Sequence, residues 1–223
     1  MRGVFGLSRQ DSSQRDITNN IIGDRNSSSA LVKVPLDNAS YVATGTLPGH
    51  LRLNESAFGA LWAQHPKEYH QIHMYGRLVS TPRWQQAYGH DYRYTGNLNK
   101  ALPIPPVVEP LLIWAQDILE PRLNGMLINW YDGSKGHYIG PHRDSPEGLL
   151  EGRPIVTISF GEERIFRLRP YGGKGKIDIP VVDGTVIVIP YGTNRTWTHE
   201  VPKSAKGAKG DEKRMSVTLR AFG

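Results

Sequence analysis

Hydrophobic and polar residues follow one pattern up to about residue 124 and a different pattern after it. Asn54 can cap a helix that runs through residues 55–65, and Pro66 ends that helix. Residues 107–123 place apolar side chains at helical spacing. The pattern therefore predicts two helices in the first half of the chain.

The second half consists of short apolar runs separated by turn residues. These runs are rich in Val, Ile, Thr and aromatic residues, a composition typical of strands in an antiparallel sandwich or barrel. The candidate strands are 126–131, 155–160, 164–170, 176–182, 185–190, 196–202 and 214–222. We therefore predict an α+β fold, with helices first and then a double-sheet β core of jelly-roll type, the double-stranded β-helix.

The chain divides into a polar N-terminal arm and one domain. Residues 1–30 are rich in Ser, Asn, Gln and Arg and are expected to form an extended or weakly ordered arm. From residue 31 the composition becomes globular, and we find no internal repeat. We expect a single domain over residues 31–223, with the jelly-roll core at about 125–223.

The composition limits the class of protein. The 223 residues are 38% hydrophobic and 22% charged, as in ordinary globular proteins. No apolar stretch approaches the roughly 20 residues of a membrane span, and the first residues lack the apolar run of a secretory signal. We expect an intracellular protein, cytoplasmic or nuclear, that is a monomer and has no membrane partner.

Cysteine is absent, so disulfides, thiolate metal sites and cysteine nucleophiles are excluded. Any metal must be bound by His, Asp or Glu. The net charge of +6 is compatible with a nucleic-acid partner but is weak evidence for one.

His142 and Asp144 form a His-x-Asp pair after a glycine-rich turn, and His199 follows in a predicted strand. Residues i and i+2 of a strand point to the same side, so the imidazole and the carboxylate can bind one ion. Two histidines and one carboxylate are the facial triad of non-haem Fe(II) oxygenases. The alternative is a surface histidine beside a turn aspartate, together with an unrelated core histidine.

Arg214 and Arg220 lie in one predicted strand and face the same way, with Ser216 and Thr218 between them. Two arginines on the inner face of a strand are costly to bury unless an anion pairs with them. A dicarboxylate supplies two anionic groups, and arginine binds carboxylates through two parallel hydrogen bonds. The alternative is an edge strand with both arginines in solvent.

These residues together resemble the AlkB-like Fe(II)/2-oxoglutarate dioxygenases over roughly residues 70 to 222. The resemblance rests on Asn129-Trp130-Tyr131, His142-Arg143-Asp144, the run 155–161, His199 and Arg214-x5-Arg220. It implies that His142, Asp144 and His199 bind Fe(II), with 2-oxoglutarate and O2 as cosubstrates.

The resemblance also implies the cosubstrate contacts. Asn129 and Tyr131 match the residues that contact 2-oxoglutarate, and Arg214 and Arg220 match the pair that binds its carboxylates. Ser216 stands at a polar position of the arginine strand that is often Asn in the family, and we assign it to the same site.

Residues 74–89 resemble the nucleotide-recognition lid of the DNA-repair members, and we place the whole lid at about 70–100. There, a short apolar hairpin ahead of a Pro-Arg motif wedges into the duplex. An aromatic side chain next to Gly and Arg is suited to stacking on a base. The candidate substrate-binding residues are Tyr75, Arg77, Arg83, Tyr92, Tyr94, Thr95 and Glu147. The alternative is a hairpin whose tyrosines pack on the core, which is our expectation for Tyr88.

One departure from the family concerns the substrate. Family members commonly carry an acidic residue one or two positions after the iron aspartate, and it contacts the substrate base. Ser145 and Pro146 stand there in this chain, and Glu147 is the first acid. The iron and 2-oxoglutarate chemistry does not depend on this change, but recognition of a cationic methylated base does.

The resemblance implies oxidative demethylation of alkylated bases in DNA or RNA, in which an N-methyl group is hydroxylated and lost as formaldehyde while succinate and CO2 form. A base in a duplex must be flipped out to react. The basic segment 203–213, with Arg77, Arg83 and Arg93, is the candidate nucleic-acid contact. Two alternatives are a hydroxylase or demethylase of a small molecule, nucleoside or protein side chain, and a nucleic-acid-binding β-sandwich with a vestigial triad.

Overall fold

The computed structural model describes residues 30–74, 76–94, 97–204 and 212–223, with residues 74 and 94 described by their backbone only. Residues 1–29 of the predicted arm lie outside these ranges. The helices are α1 (Glu55–Trp62), α2 (Glu109–Ile118) and α3 (Tyr191–Thr196). The strands are β1 (Val32–Pro35), β2 (Tyr41–Thr46), β3 (Gln71–Met74), β4 (Arg77–Ser80), β5 (Trp84–Tyr88), β6 (Tyr92–Tyr94), β7 (Asn97–Asn99), β8 (Gly125–Asp132), β9 (Ile139–His142), β10 (Ile155–Gly161), β11 (Arg164–Pro170), β12 (Ile177–Val181), β13 (Thr185–Ile189), β14 (Trp197–Val201) and β15 (Lys213–Arg220).

Two antiparallel sheets form the core. In the described residues the larger sheet has the order β1-β2-β13-β10-β15-β8-β5, and the smaller sheet has the order β12-β11-β14-β9. Apolar side chains of both sheets meet between them, with Ile155 and Ile189 from the larger sheet and Phe166 and Leu168 from the smaller one. Opposed antiparallel sheets with crossover connections are the architecture of a jelly roll. All seven strands predicted from residue 126 onwards are present.

Strand β15 has one apolar face and one polar face. Met215, Val217 and Leu219 pack into a cluster that also contains residues of α1 and α2 on the outer face of the larger sheet. Arg214 and Arg220, the other face of the strand, point between the sheets and line a pocket there. The alternation read from the sequence is therefore confirmed, and the edge-strand alternative is wrong because β15 is paired on both sides.

Both predicted helices are present, in shorter form. Asn54 caps α1, with its Oδ1 accepting a hydrogen bond from the Ala57 N–H at 2.8 Å. Helix α2 begins at Glu109, where Pro110 occupies the first turn and needs no N–H donor. Within the described part of the chain, no helix has the length and apolar character needed to cross a membrane.

Three strands that were not predicted precede the β core and add to the larger sheet. Strands β1 and β2 come before α1 and extend the larger sheet beyond β13. Strand β5 comes before α2 and forms the opposite edge of that sheet, paired with β8. These segments are short, and tertiary pairing rather than their own apolar pattern makes them strands.

The region from about 70 to 100 contains two small hairpins outside the main sheets. Strands β3 and β4 form one hairpin, and β6 and β7 form the other. The Asn97 side chain joins them, with its Nδ2 donating to the Gln71 carbonyl at 2.7 Å. Tyr88, at the end of β5, is buried in the core as expected.

Candidate active site

The two histidines of the predicted triad lie on adjacent strands. His142 ends β9, and His199 stands directly opposite it in β14. The Nε2 atoms of His142 and His199 are 3.8 and 3.9 Å from Oδ1 of Asp144. The ligand atoms of the three residues all lie within 4.8 Å of one another, so one ion can contact all three.

Asp144 reaches the site in a way that the sequence pattern did not predict. It lies two residues beyond the end of β9, so strand alternation does not orient it. Instead, the Asp144 N–H donates to Asn194 Oδ1 at 3.0 Å, and Asn194 Nδ2 donates to the Asp144 carbonyl at 3.1 Å. Asn194 is buried in α3 and thus fixes the backbone of the carboxylate ligand.

The protonation states of the triad suit a divalent metal. Burial, together with the neighbouring His199, lowers the pKa of His142 to about 3, and burial also lowers the pKa of His199. Burial alone raises the pKa of Asp144, but Arg220 and the two histidines outweigh it and bring the pKa to about 2. At neutral pH the site therefore offers two neutral imidazoles and one carboxylate, which bind a metal without first losing a proton.

Arg220 holds the outer oxygen of the triad carboxylate. Its Nη2 and Nε lie 2.7 and 2.8 Å from Asp144 Oδ2, which leaves Oδ1 on the side of the histidines. The guanidinium also lies 4.5 Å from the centre of the Tyr92 ring. The resemblance implies that Arg220 binds a carboxylate of 2-oxoglutarate, and the carboxylate it binds here is that of Asp144.

Arg214 lies at the other end of the pocket and offers donors that have no acceptor. It is 1% exposed, and its Nη2 donates to Ser159 Oγ at 2.9 Å. Its Nε and Nη1 have no hydrogen-bond partner in the described residues. Burial lowers the pKa of Arg214 to about 10, so the side chain remains a cation at neutral pH. Unpaired donors on a buried cation suit an anionic acceptor such as a carboxylate.

The remaining cosubstrate candidates lie between these two ends. Asn129 pairs with Ser216 across β8 and β15, and Tyr131 pairs with Arg214 two residues further along the same strands. All of them line the pocket that also contains the triad. The structure therefore brings the predicted metal and cosubstrate residues together in one cavity.

The substrate candidates are spread more widely. Arg83 and Tyr92 are buried and line the same pocket, so Arg83 is not the surface cation that we expected near the lid. Arg77 is exposed on β4. Glu147 is exposed, and its Oε1 lies 3.1 Å from Arg93 Nε rather than in the pocket.

Some substrate candidates cannot be placed. Tyr75 and Thr95 lie outside the described residues, as does the side chain of Tyr94. Most of the basic segment 203–213 also lies outside them.

Sequence reasoning missed two residues of the site. Asn194 positions Asp144, and Gln85 on β5 lines the pocket beside Asn129, its partner in the sheet. Gln85 lies two residues after Arg83 of the Pro-Arg motif, so the motif could have pointed to it. No local sequence pattern connects Asn194 with Asp144.

Comparison with known proteins agrees with this geometry. Residues 51–220 match the 2OG-Fe(II) oxygenase superfamily, and the chain belongs to that family. Within it the protein is AlkB-like, since the curated proteins to which it is similar are AlkB homologues.

Two relatives illustrate the extent of the similarity. The human protein named DNA oxidative demethylase ALKBH2 is 30% identical over 147 residues, covering 61% of this chain and 56% of the relative. The rat alpha-ketoglutarate-dependent dioxygenase alkB homolog 3 is 28% identical over 106 residues, covering 44% of this chain and 35% of the relative. The chain therefore spans about half the length, or less, of these relatives.

A solved structure supports the fold alone. The structure of OsALKBH1 superposes with a TM-score of 0.53 at 14% identity, covering 86% of this chain and 100% of that one.

Fe(II), 2-oxoglutarate and O2 are the cofactor and cosubstrates of this family, and the residues fit them. The triad supplies nitrogen and oxygen donors on one side of an ion, the arrangement typical of non-haem Fe(II) oxygenases. The unpaired donors of Arg214 suit one carboxylate of the dicarboxylate. The residues of the site therefore match the cofactor and cosubstrates of the family to which the chain belongs.

Proposed function

We propose that this protein oxidatively demethylates alkylated bases in DNA or RNA. The observation that carries the proposal is the single pocket in which the triad and the unpaired donors of Arg214 converge. The similarity to relatives named as a DNA oxidative demethylase and an alkB homolog supports the choice of substrate.

The proposed reaction uses both atoms of O2. One oxygen atom of O2 enters the N-methyl group to give N–CH2OH, and the other enters 2-oxoglutarate, which becomes succinate and CO2. The N–CH2OH group then breaks its C–N bond and releases formaldehyde. The hydroxyl proton passes to the ring nitrogen of a neutral base, which restores its N–H, or to water from a cationic base, which restores its neutral ring nitrogen.

We assign the iron to His142, Asp144 and His199. Bound Fe(II) supplies the site at which 2-oxoglutarate and O2 react. Because both histidines are neutral and the carboxylate is anionic at neutral pH, the protein presents these ligands ready for the metal. Arg220 and Asn194 hold the carboxylate from its side chain and from its backbone.

We assign the carboxylate of 2-oxoglutarate that lies farther from the iron to Arg214, because its buried Nε and Nη1 lack acceptors within the described ranges. Asn129, Tyr131 and Ser216 line the path between Arg214 and the triad and complete the cosubstrate site. Apolar side chains such as Ile139 and Phe166 form the rest of the wall and limit the access of water.

The two hairpins at 70–100 are the proposed nucleotide-recognition lid. Leu78 and Leu98 expose large apolar side chains there, and Arg77 and Arg93 are exposed cations on the same hairpins. Exposed apolar and cationic side chains side by side suit a surface that contacts bases and phosphates. Tyr75, the proposed wedge, stays a prediction.

The test is a panel of oligonucleotides, each carrying one N-methylated base, incubated with protein, Fe(II) and 2-oxoglutarate and analysed by mass spectrometry. The expected result is loss of the methyl group together with formaldehyde and succinate. Succinate formation on a small molecule or peptide, with no loss from any oligonucleotide, would overturn the nucleic-acid assignment while leaving the enzyme class intact.

The salt dependence of binding distinguishes the two substrate classes independently. Phosphate contacts make affinity fall steeply with salt, because bound counterions are released. A small neutral substrate gives almost no slope.

A further inference from the structure

Gln85 is a pocket-lining residue with a buried donor that has no partner among the described residues. The residue is 3% exposed and lines the cavity that holds the triad. Its Nε2 has no hydrogen-bond partner in the described residues. An unpaired buried donor is costly, and its persistence at a pocket wall points to an acceptor that comes with a ligand.

The orientation of the Gln85 amide is fixed by its neighbour. Arg83 donates from Nη2 to Gln85 Oε1 at 2.8 Å and from Nε to Asn129 Oδ1 at 2.8 Å. Reversing the amide would place its NH2 group against the guanidinium, so the oxygen must face Arg83. The NH2 group is therefore the unpaired donor of a side chain that lines the pocket.

The charge of the pocket disfavours a cationic ligand. Its described lining contains three arginines, at positions 83, 214 and 220, and one acid, Asp144. Asp144 is already bound by Arg220. The charges of bound Fe(II) and 2-oxoglutarate cancel, so they do not change this balance.

No further carboxylate reaches the pocket from the segment after Asp144 within the described residues. Ser145 and Pro146 follow it, and Glu147 is exposed and paired with Arg93. Among the described residues, a cationic base would thus meet arginines and no uncommitted acid. A neutral base with a carbonyl oxygen would instead satisfy the Gln85 donor.

We propose that Gln85 is a specificity-determining residue whose Nε2 donates to a carbonyl oxygen of the methylated base. The pocket then favours neutral lesions with a carbonyl beside the N-methyl group, such as N3-methylthymine, over cationic lesions without one, such as N1-methyladenine. This inference rests on the proposed demethylase function and deepens it.

The experiment compares N3-methylthymine and N1-methyladenine in single-stranded oligonucleotides of otherwise identical sequence, which removes the cost of base flipping. The kcat/KM for demethylation is measured by mass spectrometry for each lesion. Wild-type protein is expected to favour N3-methylthymine.

Two variants isolate the donor. Gln85→Glu keeps an acceptor for Arg83 but removes the NH2 group, and Gln85→Leu removes both. Both are expected to lower kcat/KM for N3-methylthymine by about tenfold, the size of one lost hydrogen bond. Gln85→Leu should leave N1-methyladenine within about twofold, whereas Gln85→Glu should raise its kcat/KM, because the new carboxylate attracts the cationic base. Gln86→Leu is the matched control, because Gln86 hydrogen-bonds the Ala87 and Lys100 carbonyls and does not line the pocket.

A wild-type preference for N1-methyladenine would overturn the inference alone, as would equal losses on both lesions in the Gln85 variants. Demethylation of neither lesion, from folded protein that binds 2-oxoglutarate, would overturn the proposed function as well. The two failures are therefore distinguishable.

Discussion

Asp144 owes its position to residues that are distant in sequence. Arg220 binds its carboxylate, and Asn194 binds its backbone on both the N–H and the carbonyl side. Such outer contacts orient a metal ligand, and their loss typically weakens metal affinity by about 10–100-fold. Asn194 is thus a positioning residue for the iron.

Replacement of Asn194 tests that role. We expect Asn194→Ala to weaken Fe(II) binding by at least about tenfold, because the backbone of Asp144 loses both hydrogen bonds. Titration with Fe(II) under anaerobic conditions measures the affinity directly. Thr198→Ala, which loses one hydrogen bond to the Arg169 carbonyl outside the pocket, is the control. Equal Fe(II) affinities in the two variants would show that Asn194 does not position the iron ligand Asp144.

Arg214 offers a second test at the scale of one residue. A lysine at this position keeps the charge but cannot make two parallel hydrogen bonds to a carboxylate. We expect Arg214→Lys to raise the KM for 2-oxoglutarate by about tenfold or more, as measured by succinate formation over a range of cosubstrate concentrations. Arg169→Lys, at a partly exposed ion pair with Glu200, should leave KM unchanged. An unchanged KM in Arg214→Lys would contradict the assignment.

At the scale of the element, the outer face of the larger sheet contributes stability rather than chemistry. Helix α1 packs there through Leu61, and its first turn depends on the Asn54 cap. The helix and the pocket lie on opposite faces of the sheet. Stability and activity should therefore respond separately to changes in α1.

The Asn54 cap makes this separation measurable. We predict that Asn54→Ala lowers the free energy of unfolding by about 1 kcal/mol, because one orphan N–H of the helix loses its acceptor. Urea denaturation gives this value. Asn54→Ser preserves a capping oxygen and should recover most of the loss, and kcat should be the same in all three proteins. A fall in kcat that tracks the cap would show that α1 supports the site.

The β3–β4 hairpin carries the prediction for nucleic-acid contact. Arg77 is exposed on β4, in the proposed lid. If it contacts a phosphate, Arg77→Ala should reduce the slope of log affinity against log salt by about one. Binding to a labelled oligonucleotide at several salt concentrations measures the slope. Arg122→Ala, an exposed arginine beyond α2, is the control, and an equal slope in both would exclude Arg77 as a contact.

For the whole molecule, sequence patterns predicted what depends on local alternation and composition. The alternation in β15 predicted which of its side chains enter the pocket, and the lack of cysteine confined any metal to His and carboxylate ligands. The triad could be proposed because its residues are of the right type, although the strand argument for Asp144 was incomplete.

What the sequence could not predict depends on contacts between distant segments. Strands β1 and β2 are held by pairing with β13, and the carboxylate of Asp144 is oriented by Arg220. The orientation of the Gln85 amide is set by a hydrogen bond from Arg83, which also donates a hydrogen bond to Asn129. The single domain over residues 31–223 and the monomeric state remain predictions.

The stoichiometry of the reaction tests the central claim most directly. A single-stranded oligonucleotide with one N-methylated base is incubated with Fe(II), 2-oxoglutarate and the protein, and demethylated base, formaldehyde and succinate are quantified together. We predict equal amounts of demethylated base and formaldehyde and at least as much succinate, with none of the three above background in folded His142→Ala protein. Demethylation that persists in His142→Ala, or succinate without formaldehyde on every methylated base, would contradict the account.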